Sequence, residues 1–209
     1  TLHPQIHGGI LAKRNKASHL KALSEYKIKK IDLVIVNLYP FDKTLKTTSV
    51  QSKLIENIDI GGSTLIRAAA KNFEFITVVV DPNDYPELIQ EIIQKNGISY
   101  SMRKKLSAKA FSYTANYDAH IASWMIKETS NNKMPKYFPI PATLNQELRY
   151  GENPHQRGAL YKNETNTAGP ANSKIIQGKS LSYNNINDAN SAFNLVNEFE
   201  KPTTVIIKH

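Results

Sequence analysis

Two short apolar runs constrain this chain more than any other feature. Ile31 to Leu38, IDLVIVNL, and Phe75 to Val80, FITVVV, are of strand length, rich in Val and Ile, and continuous rather than alternating. That pattern predicts strands covered on both faces, as in a parallel sheet. Helical patterns lie between and after them. In DYPELIQEIIQKNG the residues Leu88, Ile89, Ile92 and Ile93 form one stripe, with Asp84 placed to cap the start and Gly97 to end it. From Ser101 to Glu128, Met102, Leu106, Tyr113, Tyr117, Ile121 and Trp124 recur at helical spacing, the mark of a packed face on one long helix or two joined ones. Strands alternating with helices predict an α/β fold.

The periodicity then stops. TSNNKMPKYFPIPATLNQE carries prolines at 135, 139 and 141 and predicts a linker over residues 129–146, between a first domain at 1–128 and a second at 147–209. In the second, Asp188 is placed to cap a helix burying Ala192, Phe193 and Val196, and Thr203 to Ile207 reads as a buried strand. With 40% hydrophobic and 22% charged residues among 209, the chain can bury a core. The absence of cysteine excludes disulfides and thiolate metal sites, and no apolar run is long enough to span a bilayer as a helix, so an intracellular, cytoplasmic setting is expected. The net charge of +9 suits nucleic acid, an acidic surface or small phosphorylated ligands. Its lysine runs lack the interleaved aromatics of a single-strand stacking platform, which favours solvated helix faces and loop rims. Both ends read as cut: the first residues, TLHPQIHGG, lack an initiator Met, and the last are Lys208 and His209.

Chemistry concentrates in a few stretches. In IDIGGSTLIRAAAKN, Gly61 and Gly62 precede a short helix that Ser63 or Thr64 can cap, the free amides of its first turn make an anion site that the glycines leave unobstructed, and Ile60 and Gly61 are candidate substrate contacts beside it. Asp59 beside that site suits proton transfer next to a bound polar group better than simple anion binding. Lys71 shares a face with Thr64 but lies about 10 Å further along the helix, and spacing alone favours an exposed lysine near a helix end. Asn37 and Tyr39, in NLYPF, fall at the carboxyl end of the first strand, where open α/β sheets bind ligands. His3 and His7 stand four apart, but Pro4, Gly8 and Gly9 argue against a helix there, and no third metal ligand follows. In LRYGENPHQ, the donors Arg149, Tyr150, Asn153 and His155 crowd a turn, a density that fits a phosphate or polar ring. Asn184 and Asn185 are candidate amide contacts, although asparagines in a turn most often serve the backbone.

Taken in order, TLHPQIHGGILAKR, IDLVIVNLYPF, IENIDIGGSTLIRAAAKN, TVVVDPNDY, KAFSYTANYDAHIA, LRYGENPHQ, SYNNINDA and the closing KH resemble the bifunctional purine biosynthesis enzymes. These join an inosine monophosphate (IMP) cyclohydrolase to an aminoimidazole carboxamide ribonucleotide (AICAR) formyltransferase. The resemblance covers the whole chain and implies an internal segment of such an enzyme: a methylglyoxal-synthase-like parallel-sheet domain without its amino-terminal part, then the start of a cytidine-deaminase-like formyltransferase domain. It implies that Thr1 belongs to the nucleotide-phosphate site, that Asn37 and Tyr39 line the substrate, and that Asp59 with Lys71 assists ring closure of formyl-AICAR (FAICAR) to IMP. The family's catalytic lysine immediately before Thr1 is absent here. In the second domain the resemblance places Arg149, Tyr150 and Asn185 at the nucleotide, His155 near it, and Lys208 and His209 at the chemistry, with 10-formyltetrahydrofolate as formyl donor and no metal. It further implies a homodimer, with neither nucleic acid nor membrane as partner. The competing expectation, resting on charge alone, is a non-enzymatic basic module for RNA or an acidic partner.

Overall fold

The computed structural model describes residues 2–129, 134–163 and 168–208, which divide into two compact units, one ending at Pro139 and the other beginning at Ile140. The first unit runs α1 (Pro4–Leu11), α2 (Ala17–Glu25), β1 (Leu33–Ile35), α3 (Phe41–Thr47), α4 (Gln51–Glu56), α5 (Ile60–Lys71), β2 (Thr77–Val79), α6 (Tyr85–Lys95) and α7 (Tyr100–Thr129). The strands pair in parallel, Val34 opposite Val78, with α3 to α5 forming the crossover that a parallel pair requires. The α/β expectation therefore holds, with shorter strands than the apolar runs suggest.

Coverage differs between the two strands. All three residues of β2 are buried, whereas β1 buries Val34 and leaves Leu33 and Ile35 exposed. An apolar run supplies strand propensity, but burial on both faces needs an element packed on each, and the described residues put one only over the Val34 side. The same holds for α6: Leu88 is buried, while Ile89, Ile92 and Ile93 face outward. Gly97 does not end that helix. Asn96 does, in the left-handed conformation at φ 50° that Asn tolerates better than most residues.

α7 is one helix of 30 residues and organises the core. Met102, Leu106 and Tyr117 are buried as their spacing predicts, and Tyr113, Ile121 and Trp124 pack against the central cluster of Phe41, Ile66, Ile76 and Val78. Phe41, fully buried, meets the rings of Tyr117 and Trp124 edge-on at 6.4 and 5.7 Å. Burying such a side chain contributes about 1.5–3 kcal/mol. Arg103, within a run read as a solvated face, instead donates to the backbone carbonyls of Phe73, Glu74 and Ile98. Asn72 caps α5 and donates to the carbonyl of Ile10 at 2.7 Å, fixing α1 against α5.

The second unit pairs β3 (Thr143–Glu147) with β4 (Ala159–Lys162) in an antiparallel hairpin and adds α8 (Tyr183–Val196). β3 occupies residues that the prolines suggested were linker. α8 begins before Asp188, which lies within it: Ser182 is the cap, exchanging hydrogen bonds with Asn185 in a capping box. Ala192, Phe193 and Val196 are half-buried rather than buried. The run Thr203–Ile207 forms no strand, since none of its residues has a ladder partner among the described residues.

Candidate functional site

α5 does not begin where its glycines suggest. Asp59 is the cap, its Oδ1 accepting from the Gly62 N–H at 2.6 Å, so Gly61 and Gly62 lie inside the first turn and neither Ser63 nor Thr64 caps it. This arrangement uses one carboxylate oxygen and leaves the other at the helix start. The N–H groups of Ile60 and Gly61 find no acceptor among the described residues, and Ser63 Oγ is buried without a partner. Two adjacent unsatisfied amides at the positive end of a 12-residue helix are suited to a developing negative charge.

The Asn37–Tyr39 loop lies against this helix start. Asn37 donates from Nδ2 to the carbonyl of Val80 at 2.8 Å, tying together the carboxyl ends of β1 and β2. A Cβ built on Gly62 would stand 2.7 Å from Leu38 Cδ2, so the residue between Asn37 and Tyr39 rests on the first turn of α5. Tyr39 is 57% exposed and Asn37 is exposed, which leaves both side chains accessible to a ligand.

Two further side chains, which the spacing analysis assigned only to packing, hold these loops. Tyr117 Oη accepts from the Asp59 N–H at 2.8 Å and donates to the Asn57 carbonyl at 2.9 Å. Tyr113 Oη, one turn earlier on α7, accepts from the Leu38 N–H at 3.2 Å. Burial pushes the Tyr117 phenol above its usual pKa, and the charge of Asp59 adds to that, although the hydrogen bond from the Asp59 amide acts the other way; the group remains a proton donor near neutrality. The missed signal was the hydroxyl itself: periodicity registers Tyr and Phe alike.

Beside the helix start, a cleft of about 480 Å³ is lined by Leu2, His3, Pro4, His7, Thr64 and Arg67. His3 and His7 belong here because α1 is a helix after all. Pro4 sits at its first position, where a missing N–H costs nothing, and His3 caps it by accepting from the Gln5 N–H. Arg67 also lies over the Phe111 ring at 5.6 Å. Among the described residues no group of three or more His, Asp or Glu side chains could hold a metal. Lys71 is not brought to Asp59: it ends α5, exposed, about 18 Å along the axis at 1.5 Å per residue. Thr1 lies outside the described residues.

In the second unit, Arg149 and Tyr150 do meet. The guanidinium lies 4.9 Å from the Tyr150 ring centre, and their backbones pair with Leu181 and Tyr183, at the start of α8. A cleft of about 570 Å³ is lined by Glu147, Leu148, Arg149, Gly178, Lys179 and Ser180, so Lys179, which carried no motif, contributes a second cation. His155 is exposed on the 151–156 turn. Asn185 Oδ1 is engaged by the Ser182 N–H in the capping box, and Asn184 donates to the Glu152 carbonyl. Lys208 is exposed; His209 lies outside the described residues.

Fold and site together define a mixed α/β protein that gathers polar side chains and unsatisfied backbone N–H groups at the carboxyl end of a parallel strand pair. Residues 69–209 match the family model described as the AICARFT/IMPCHase bienzyme. The whole chain aligns with the bifunctional purine biosynthesis protein PurH of Thermoanaerobacter sp. (strain X514), 48% identical and covering 41% of that protein. It aligns likewise with those of Streptococcus suis (48%, covering 41%) and Roseobacter denitrificans (47%, covering 40%). The crystal structure of ForH is similar with a TM-score of 0.53 and 34% identity, over 60% of this chain and 65% of that one. The chain belongs to the AICARFT/IMPCHase bienzyme family and spans about 40% of the length of these curated relatives.

Proposed function

We propose that the chain carries parts of two sites of an enzyme for the last two steps of IMP synthesis, ring closure in the first unit and formyl transfer in the second. The observation that carries the first assignment is the meeting of the Asn37–Tyr39 loop with the Asp59-capped start of α5 at Leu38 and Gly62. Ring closure of FAICAR forms a bond from the carboxamide nitrogen to the formyl carbon and then expels water. Asp59 takes the proton from the attacking nitrogen, while the Ile60 and Gly61 N–H groups stabilise charge on the formyl oxygen. Asn37 and Tyr39 line the base, Arg67 and the α1 side of the adjoining cleft serve the phosphate, and the family resemblance adds Thr1 as a phosphate contact. Lys71 serves this site only for a ligand extended along α5, because the helix holds it away from Asp59.

In the second unit Arg149, Tyr150, His155 and Asn185 are proposed nucleotide contacts. Lys208 and His209 act in transfer from 10-formyltetrahydrofolate: the AICAR amine attacks the formyl carbon, His209 takes its proton, and the folate nitrogen leaves. A methylglyoxal-synthase-like first domain, a cytidine-deaminase-like second domain, a homodimer and a cytoplasmic setting complete this reading, supported by the family's resemblance. Titration of the full-length protein with IMP, followed by calorimetry, tests it against a basic RNA-binding module. Saturable binding of IMP is expected. Silence with IMP, together with a salt-dependent mobility shift of arbitrary RNA, would replace the enzyme reading.

A further inference from the structure

We propose that Tyr113 and Tyr117 are positioning residues for ring closure, two hydroxyls one turn apart on α7 that set the backbone of both loops lining the site. The inference rests on the ring-closure reading and deepens it. Each hydroxyl reaches the main chain at a residue that the reading uses or that adjoins one it uses. Tyr117 Oη accepts from Asp59's own N–H and donates to the Asn57 carbonyl, closing a bridge across Ile58. Tyr113 Oη accepts from the N–H of Leu38, flanked by Asn37 and Tyr39.

The geometry explains why these positions carry phenols. A Phe at 117 could keep the edge contact with Phe41, which lies 6.4 Å away between ring centres. It could not hold Asp59. That residue is fixed from two directions: its amide by Tyr117 and its Oδ1 by Gly62. With the amide released, the backbone turn that places the carboxylate beside the Ile60 and Gly61 N–H groups loses one of its two restraints. A phenol is protonated near neutrality in any case, and burial only raises the Tyr117 pKa further, so both of its bonds persist there. Because the two tyrosines stand four residues apart on one helix, a single rigid element registers the Asn37–Tyr39 loop against Asp59.

The test uses the full-length protein, with Tyr117→Phe, Tyr113→Phe and Asp59→Asn assayed in parallel. Cyclisation of FAICAR is measured as kcat per IMP-binding site, the sites being counted by titration so that a poorly folded fraction lowers the count and not the rate. Tyr117→Phe is expected to lower kcat per site by roughly ten- to a hundred-fold, the cost of misplacing a reacting group, with KM nearly unchanged. Tyr113→Phe is expected to raise KM for the nucleotide while largely keeping kcat. Wild-type kcat per site in Tyr117→Phe, with Asp59→Asn inactive, overturns the positioning role and leaves the site reading intact. A wild-type rate in Asp59→Asn overturns the site reading and the inference with it. Should Tyr117→Phe yield no binding sites, Tyr113→Phe decides the matter: an unchanged KM then overturns the proposal.

Discussion

At Gly62 an added methyl group would stand 2.6 Å from Asp59 Oδ2 and 2.7 Å from Leu38 Cδ2, so this residue is small because two parts of the site close over it. Gly62→Ala should leave the protein folded at a cost of about 1–3 kcal/mol, because overpacking against buried Leu38 and a disturbed cap outweigh about 1 kcal/mol of helix propensity gained. Ring closure should nevertheless fall by roughly 10²-fold, the effect of moving a reacting group by about an ångström. Thermal melts beside cyclisation assays of the full-length protein check this, and full activity in the variant would show that the Asp59 carboxylate tolerates displacement. Residue types alone marked Asp59, an acid at a helix start, and Asn37 and Tyr39, polar residues at the carboxyl end of a strand, as separate candidates, and only the family resemblance put them at one site. Hydrogen-bond partners were not visible in sequence. That Asn72 ties α5 to α1 depends on a contact across 62 residues that no local pattern encodes.

Among the elements, α6 shows how far pattern reading reaches. Its apolar stripe correctly marked a helix, yet its attachment to α7 is polar as well as apolar. Glu91 accepts from Lys95 Nζ at 2.6 Å, from the Ser99 N–H at 2.9 Å and from Ser99 Oγ at 2.7 Å. Lys95 first, then the Ser99 amide and hydroxyl, hold its carboxyl at a pKa of about 2, against 4.5 ordinarily. A folded pKa below the unfolded one contributes stability that is complete above pH 4.5 and is lost as pH falls towards about 2. Glu91→Gln should therefore flatten the acid side of the stability curve over that window, leaving its slope above pH 5 unchanged; urea melts across the range measure it. An unaltered acid limb would mean that the three contacts do not persist in solution. A second polar cluster joins α7 to the carboxyl end of β2. Burial alone would lower the Lys109 ammonium pKa, but Asp81 and Asp84, at 2.6 and 2.8 Å, outweigh it and hold it above its ordinary value. Asp84 thus neutralises a lysine instead of capping α6 with its side chain, a choice set by α7 and invisible in the stretch around Asp84.

For the molecule as a whole, ordered motifs along the chain carried the family assignment, and the parallel pair and the long helix agree with the α/β reading. What sequence could not supply is coverage. Leu33, Ile35 and Ile92 belong to patterns that predict burial, yet they are exposed among the described residues of a chain spanning about 40% of its relatives' length. The charge also divides more finely than its sum suggests: Arg14, Arg103 and Lys109 are structural ties, whereas Arg67, Arg149 and Lys179 line clefts. Two chemically separate sites are proposed to share this chain, one around Asp59 and the other around Arg149. The most direct test assays both reactions in full-length Asp59→Asn and Arg149→Met. Asp59→Asn should lose ring closure by roughly 10² or more, the contribution of a positioned base, and keep formyl transfer; Arg149→Met should do the reverse. Loss of both activities in either variant, or of neither in both, would contradict the account.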